Sequence, residues 1–448
     1  MTSRTETAGR ATHVTGDPAP ATTAPSCAEV GCDDFARVAM SRRSLLRSAA
    51  VVGGLTAGAT TLTTVGDAFL QTSYAATRSV PAVLVVLSMR GAVDGMSMVV
   101  PHGDPVYYQA RPKIGIPAET LLAKDGFFGL HPNLAPLLPL WTSGRMAAVH
   151  AAGLPVANRS HFAAVELVED ADPGSRERIG WINRLIGRDS YASPLQAMQL
   201  GNSVPATAVI GPQPTLSVRG LNQVKLAGAD QWDKQGRRPR SMRTMWGDVG
   251  GPLGQGARAA MQAVSQFGAV TATSTTPANG AVYPTGGFGD ALAAAARTIR
   301  GDVGAEVITI DQGNWDHHVN LGTLEWGSMQ QMTTQFAAGL AAFFTDLGPL
   351  ASKVTVVTLS EFGRRTRENA NYGLDHGYGT VMMLLGAGVR GGYYGRWPGL
   401  VNNDNNDLQV TTDYRSVLAE VVTARLGASS AQVFPGFTPT PVGVVSGL

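Results

Sequence analysis

The densest run of residues able to do chemistry is Asp311-Gln312-Gly313-Asn314-Trp315-Asp316-His317-His318, which holds two of the chain's eight histidines. A carboxylate and an imidazole two residues apart on a loop, Asp316 and His318, can converge on one Zn²⁺ or Mn²⁺. The plainer alternative is a polar surface loop. A second segment, Ser360-Glu361-Phe362-Gly363-Arg364-Arg365, is followed by Asp375-His376-Gly377-Tyr378-Gly379. Glu361 stands where a strand-end ligand belongs. Asp375 and His376 read either as a ligand pair or as a carboxylate orienting an imidazole. In Arg90-Gly91-Ala92-Val93-Asp94-Gly95, Asp94 is a turn former or a metal ligand. In Asn158-Arg159-Ser160-His161-Phe162, Ser160 sits at a helix start, where free backbone N–H groups favour anions. Its hydroxyl is a candidate nucleophile toward phosphate or sulfate, and Arg159 could hold the anion with a bidentate fork. The competing reading is an ordinary helix cap.

These segments need elements to position them. Residues 81–88 are continuously apolar, as in a strand buried on both faces. Strands are also expected over 146–151, 306–311, 354–359 and 381–385. Helical patterns run over 160–168, 256–268, 290–300, 327–347 and 412–426, the last capped by Thr411 or Thr412. Shorter helices are expected over 131–141 and 180–187. Residues 205–250 mix short strands and loops, and the Thr/Pro/Gly-rich stretch 271–289 reads as a surface loop. The alternation of strands and helices predicts a three-layer α/β/α sandwich around a mostly parallel sheet, formed by one domain over 80–448. In such sheets ligands bind at the carboxyl ends of the strands, where the polar segments fall.

Of the 448 residues, 44% are hydrophobic and only 15% charged, with 54 glycines, which suits a large core under many tight loops. A net charge of +2 argues neither for nucleic acid nor for an anionic membrane. Residues 1–40 have the composition of a disordered region. Ser41-Arg42-Arg43-Ser44-Leu45-Leu46, a weakly apolar stretch from Ala49 to about Leu70 and small residues near Ser73-Tyr74-Ala75-Ala76 form a twin-arginine signal over 41–76. Gly53, Gly54, Gly58 and Asp67 make that stretch a poor membrane span. The expected partner is the twin-arginine export machinery, and the expected location is outside the cytoplasm. Cys27 and Cys32 precede the paired arginines, so cleavage leaves a chain without thiols. No phosphate-binding loop, dinucleotide fingerprint or Gly-x-Ser-x-Gly elbow follows a strand. Asn402 to Asp407 lacks the glycine and distal glutamate of a calcium loop and reads as a polar turn.

In this order, Leu87 to Pro101, Arg159-Ser160-His161-Phe162, Trp315-Asp316-His317-His318, Ser360-Glu361-Phe362-Gly363-Arg364, Asp375-His376-Gly377 and Thr412-Asp413-Tyr414-Arg415 resemble the domain of unknown function 1501 family. That family is similar to the alkaline phosphatase and sulfatase superfamily. The resemblance implies an alkaline phosphatase-like fold, Ser160 as nucleophile, and one or two divalent ions (Zn, Mn, Mg or Ca) held by Asp94, Asp316, His318, Glu361, Asp375 and His376. Phe362 stands where the superfamily has a metal-binding histidine, which weakens one of two metal sites. The sulfatase signature is missing around Ser160. Three functions remain open: a metal-dependent hydrolase of phosphate or related esters, a non-catalytic binding or envelope-assembly protein on a degenerate fold, and a single-metal enzyme that transfers a phospho-group.

Overall fold

The computed structural model describes residues 78–447, apart from 173, 174, 176, 189, 190, 227 and 230–232. The twin-arginine segment and the region before it lie outside the described residues.

Nine strands form the main sheet: β1 (Val83–Met89), β4 (Met146–Gly153), β5 (Ala197–Leu200), β6 (Leu216–Val218), β7 (Val307–Gln312), β8 (Val354–Leu359), β9 (Thr380–Gly386), β10 (Gly392–Tyr394) and β11 (Thr412–Asp413). Two further strands, β2 (Val99–Val100) and β3 (Gly129–Leu130), make a separate antiparallel pair. The main order is β10-β4-β9-β8-β1-β7-β5-β6, with β11 beside β4. Every pairing is parallel except those of β9, which runs against both β8 and β4. That one reversal has a chemical consequence. The residues entering β9 meet those leaving β1, β4, β7 and β8, so five segments reach one edge of the sheet.

β1 is buried except for half-buried Ser88, because successive side chains serve opposite faces. Val83, Val85, Leu87 and Met89 join one apolar core and Leu84 and Val86 the other. The Leu84/Val86 face is covered by α1 (His161–Asp170), α2 (Trp181–Ile186) and α6 (Tyr414–Leu426). The opposite face is covered by α3 (Gly251–Gln266), α4 (Gly287–Arg300) and α5 (Ser328–Leu347). Leu292, Ala295, Ala296 and Ile299 of α4, and Phe336, Leu340, Phe343 and Leu347 of α5, recur at helical spacing on the buried side. Each buried Leu or Phe contributes about 1.5–3 kcal/mol of transfer free energy. The result is the expected three-layer α/β/α sandwich.

Local details differ from the expectation. α6 begins at Tyr414 and its cap is the Asp413 carboxylate, which accepts from Arg415 N–H at 2.9 Å. Thr412 and Asp413 are strand residues paired to β4. The helix expected over 131–141 splits into a 3-10 turn, Pro132–Leu137, and a short α-helix, Leu138–Thr142, with the His131 ring accepting from Asn133 N–H. Residues 205–250 contain β6 and a helix, Arg237–Trp246. No helix among the described residues is long and apolar enough to cross a membrane.

Candidate metal centre

The loops at the shared edge are pressed together at the backbone. Gly91, at φ +113°, lies so close to the loop after β7 that a Cβ there would stand 2.5 Å from Asp316 N. A side chain at that position meets both a disfavoured backbone region and a backbone clash. Gly363, after β8, is equally confined: its Cβ would stand 1.9 Å from Gly379 O. This closeness lets the 363–365 segment pair with 375–378, through Gly363 N–H to Tyr378 O at 2.8 Å and Arg365 N–H to Asp375 O at 3.0 Å. His376 is thereby brought back over the end of β8.

Arg364 staples these loops from beneath. Its buried guanidinium donates to the carbonyls of Ala92 (2.7 Å), Leu374 (3.1 Å) and Gly91, and to Asp316 Oδ1 at 2.5 Å. Burial pushes the Asp316 carboxyl up. The hydrogen bond and charge of Arg364 outweigh burial and hold it below the ordinary carboxylate range.

Around Asp316 three imidazoles converge. His376 Nε2 lies 2.9 Å from His161 Nε2 and 2.9 Å from His318 Nε2. Asp316 Oδ1 lies 3.2 Å from His318 Nε2, 3.6 Å from His161 Nε2 and 3.7 Å from His376 Nε2. The far side of each ring explains what meets in the middle. His161 Nδ1 faces Glu361 Oε1 at 2.8 Å, His318 Nδ1 faces Asp375 Oδ1 at 3.2 Å, and His376 Nδ1 faces the Arg159 carbonyl at 2.9 Å. These oxygens accept, so each Nδ1 donates, and in the neutral ring the lone pair is left on Nε2, which faces the centre. Ligand atoms of His161, Asp316 and His376 lie within 4.8 Å of one another, and His318 Nε2 adjoins His376 and Asp316. They repel one another unless a cation lies among them, and oxygen partners at Nδ1 are the usual second shell of metal-binding histidines. The donor set therefore fits a metal ion. The centre is also open: side-chain exposure is 26% for His161 and His376, 41% for His318 and 47% for Asp316. A purely structural zinc site is closed on all sides.

His376 is harder to protonate than a free histidine. Burial is the main cause, with the charge of Arg364 adding to it and the Arg159 carbonyl opposing. Phe362 forms part of the floor, its ring centre 4.8 Å from that of His161 and 5.0 Å from that of His376.

The residues expected from sequence separate into groups. Asp316, His318 and His376 come together. Glu361 and Asp375 reach the cluster through the outer nitrogens of His161 and His318, and Asp375 serves His318 rather than its neighbour His376. Glu361 is held in turn by Gly91 N–H at 2.9 Å, and its Oε2 lies 3.2 Å from the Ser360 hydroxyl. Asp94 is not brought in. It is buried, and both its oxygens accept from the buried Arg111, at 2.5 and 2.9 Å. Burial raises the Asp94 carboxyl, but Arg111 more than compensates and the net shift is downward. Ser160 is exposed at the N-terminus of α1 with no capping hydrogen bond from its side chain. The Arg159 guanidinium pairs with Asp407.

Sequence reasoning missed His161 as a member of the centre. Its signal lies inside the Asn158–Phe162 segment, where the adjacent hydroxyl and guanidinium are equally plausible chemistry. Arg364 and Arg111 were missed because their partners are distant in sequence. The Asn402–Asp407 turn is polar as expected, with Asp404, Asn405 and Asp407 bonded to Arg367, Arg365 and Arg159.

Residues 141–443 match the family described as Protein of unknown function (DUF1501). The matched range holds His161, Asp316, His318, Glu361, Asp375 and His376, but not Asp94. No curated protein matches the chain. Among solved structures, it overlaps the C-terminal periplasmic domain of EcEptC from Escherichia coli, in complex with Zn, at 10% identity over 71% of this chain and 77% of that one, with a TM-score of 0.29. Ps i-CgsB overlaps at 11% identity, over 79% and 74%, with a TM-score of 0.30. The lipoteichoic acid synthase LtaP from Listeria monocytogenes overlaps at 7% identity, over 74% and 75%, with a TM-score of 0.26. Overlaps this loose carry no argument about the centre. The family match spans most of the chain, and the protein belongs to the DUF1501 family.

Proposed function

We propose that this protein is an exported, metal-dependent hydrolase of phosphate or related esters, with one divalent ion held by His161, His318, His376 and Asp316. The observation that carries the reading is the convergence of three imidazole Nε2 atoms and a carboxylate on a solvent-open edge. Three imidazoles to one carboxylate favour zinc over magnesium or calcium. Bound there, such an ion supplies Lewis acidity to an ester oxygen and activates the attacking group. Arg364 keeps Asp316 ionised and fixed in direction. Glu361, Asp375 and the Arg159 carbonyl hold the three rings in the tautomer that leaves Nε2 free.

Ser160 is the proposed nucleophile. Its hydroxyl is exposed, adjacent to His161, and not committed to capping α1. Arg159 is proposed to bind the anionic oxygens, exchanging Asp407 for substrate. The export assignment rests on the twin-arginine pattern of residues 41–76.

A second reading, a non-catalytic envelope protein, is favoured by two observations. Asp94 is fully engaged by Arg111, and Phe362, where the family resemblance implies a histidine, packs its ring against His161 and His376. That reading predicts metal binding without turnover. The test is a screen of phosphate mono- and diesters and sulfate esters with zinc-loaded protein, beside Ser160→Ala. Turnover reduced about 100-fold or more in the variant supports a serine nucleophile. Turnover kept in the variant assigns the attack to water. No turnover of any ester by the loaded wild type favours the second reading.

A further inference from the structure

Two of the histidines at the centre are each followed in sequence by an exposed apolar residue. Phe162, after His161, is 90% exposed, and Val319, after His318, is 52% exposed. Neither stands alone. Val156, on the loop leading into α1, is 75% exposed. Tyr372 and Trp326 are also exposed and touch edge to face, with ring centres 5.4 Å apart. The backbone ties that pair to the centre: Gly322 N–H donates to Tyr372 O, Asn320 N–H donates to Asn371 O, and Gly373 abuts the carbonyl of His318. Five of the ten large apolar side chains exposed among the described residues thus belong to the segments that carry His161, His318 and Asp375. Scattered single exposures need no explanation, but here half of them fall on the segments that bear the centre.

We propose that the ester bound at this centre is amphiphilic, with its anionic head at the three histidines and an alkyl or aryl chain laid over Phe162 and Val319. The proposal rests on the metal-hydrolase reading. The occupant is the ligand's own chain, because the apolar residues begin one position from the residues that would hold its head. Small binding sites combine a few fixed polar groups with apolar contact in this way. A substrate of this form gains affinity with chain length, since each methylene removed from water adds to binding.

The test is titration calorimetry of methylphosphonate and octylphosphonate, neither of which is turned over, into zinc-loaded and chelator-stripped protein. The expected result is octylphosphonate binding to the loaded protein about tenfold or more tighter than methylphosphonate. In Phe162→Ser/Val319→Ser the ratio should fall to about threefold or less. Both positions are exposed, so the substitutions remove no core contact. Equal affinity of the two ligands for the loaded wild type would overturn the proposal and leave the hydrolase reading standing. Octylphosphonate binding that is the same with and without zinc would support the apolar surface and contradict the metal reading. Failure of both ligands to bind would overturn both.

Discussion

The histidines around Phe128 and those around Asp316 make opposite use of the same ring. His150 lies flat on Phe128, with ring centres 3.6 Å apart, among Tyr393 and Trp397, and its Nε2 has no partner. Burial pushes its pKa down to about 3. His131, nearby in sequence, turns Nδ1 toward the Asn133 N–H, so there Nδ1 is the acceptor, and burial pushes its pKa down to about 4. Both are kept neutral and serve as packing and a cap. At the sheet edge the partners of Nδ1 are oxygens instead, and the Nε2 atoms face one another. The difference teaches that the group behind the ring, rather than the histidine itself, decides whether it packs or binds. The same contrast separates two strand-end aspartates. Asp94 spends both oxygens on a buried arginine, while Asp316 meets its arginine and also faces the histidines.

The comparison is most sharply tested by removing a ligand. His376→Ala should abolish stoichiometric zinc binding, a loss beyond 100-fold by equilibrium dialysis. His150→Phe should leave binding intact. Next in size is Asp94→Ala, which strands the Arg111 charge in the core. It should cost about 3–5 kcal/mol in urea unfolding of the metal-free protein. A cost below about 1 kcal/mol would mean that the Asp94–Arg111 pair is not the buried structural pair described. Glu361→Gln keeps the shape but weakens the hold on His161 and should reduce zinc affinity about 10–100-fold. An unchanged affinity would break the claim that the oxygen behind the ring matters.

The smallest effect concerns acid. His150 has a folded pKa below its ordinary value, so the unfolded chain binds more protons as pH falls below about 6.5. Stability should therefore be full above that pH and decline toward pH 3, by about 1.4 kcal/mol per pH unit for this residue. In His150→Phe the decline between pH 6.5 and 5 should be shallower by that amount, read by urea unfolding. An identical slope would mean that His150 is not held neutral.

The fold was largely legible. The apolar runs of β1 and β8 and the helical spacing of α4 and α5 mark their burial in the sequence itself. β5 and β10 escaped notice because four and three residues are too few to show a period. The reversal of β9 was invisible because an apolar run has no direction, yet that reversal delivers His376. The site was legible as a set of strand-end loops but not as a set of ligands. Asp94 and Asp316 look alike in sequence, and only the fold shows that Arg111 claims one of them. His161 was overlooked beside Ser160 because nothing in the sequence shows which of two adjacent side chains turns toward the centre.

The most direct test of the account is zinc titration calorimetry of chelator-stripped full-length protein, compared with His161→Ala and Asp94→Asn. The account predicts one ion per chain in the wild type, binding lost in His161→Ala, and one ion per chain retained by folded Asp94→Asn. Two ions per chain, or binding that survives His161→Ala and disappears in folded Asp94→Asn, would contradict it.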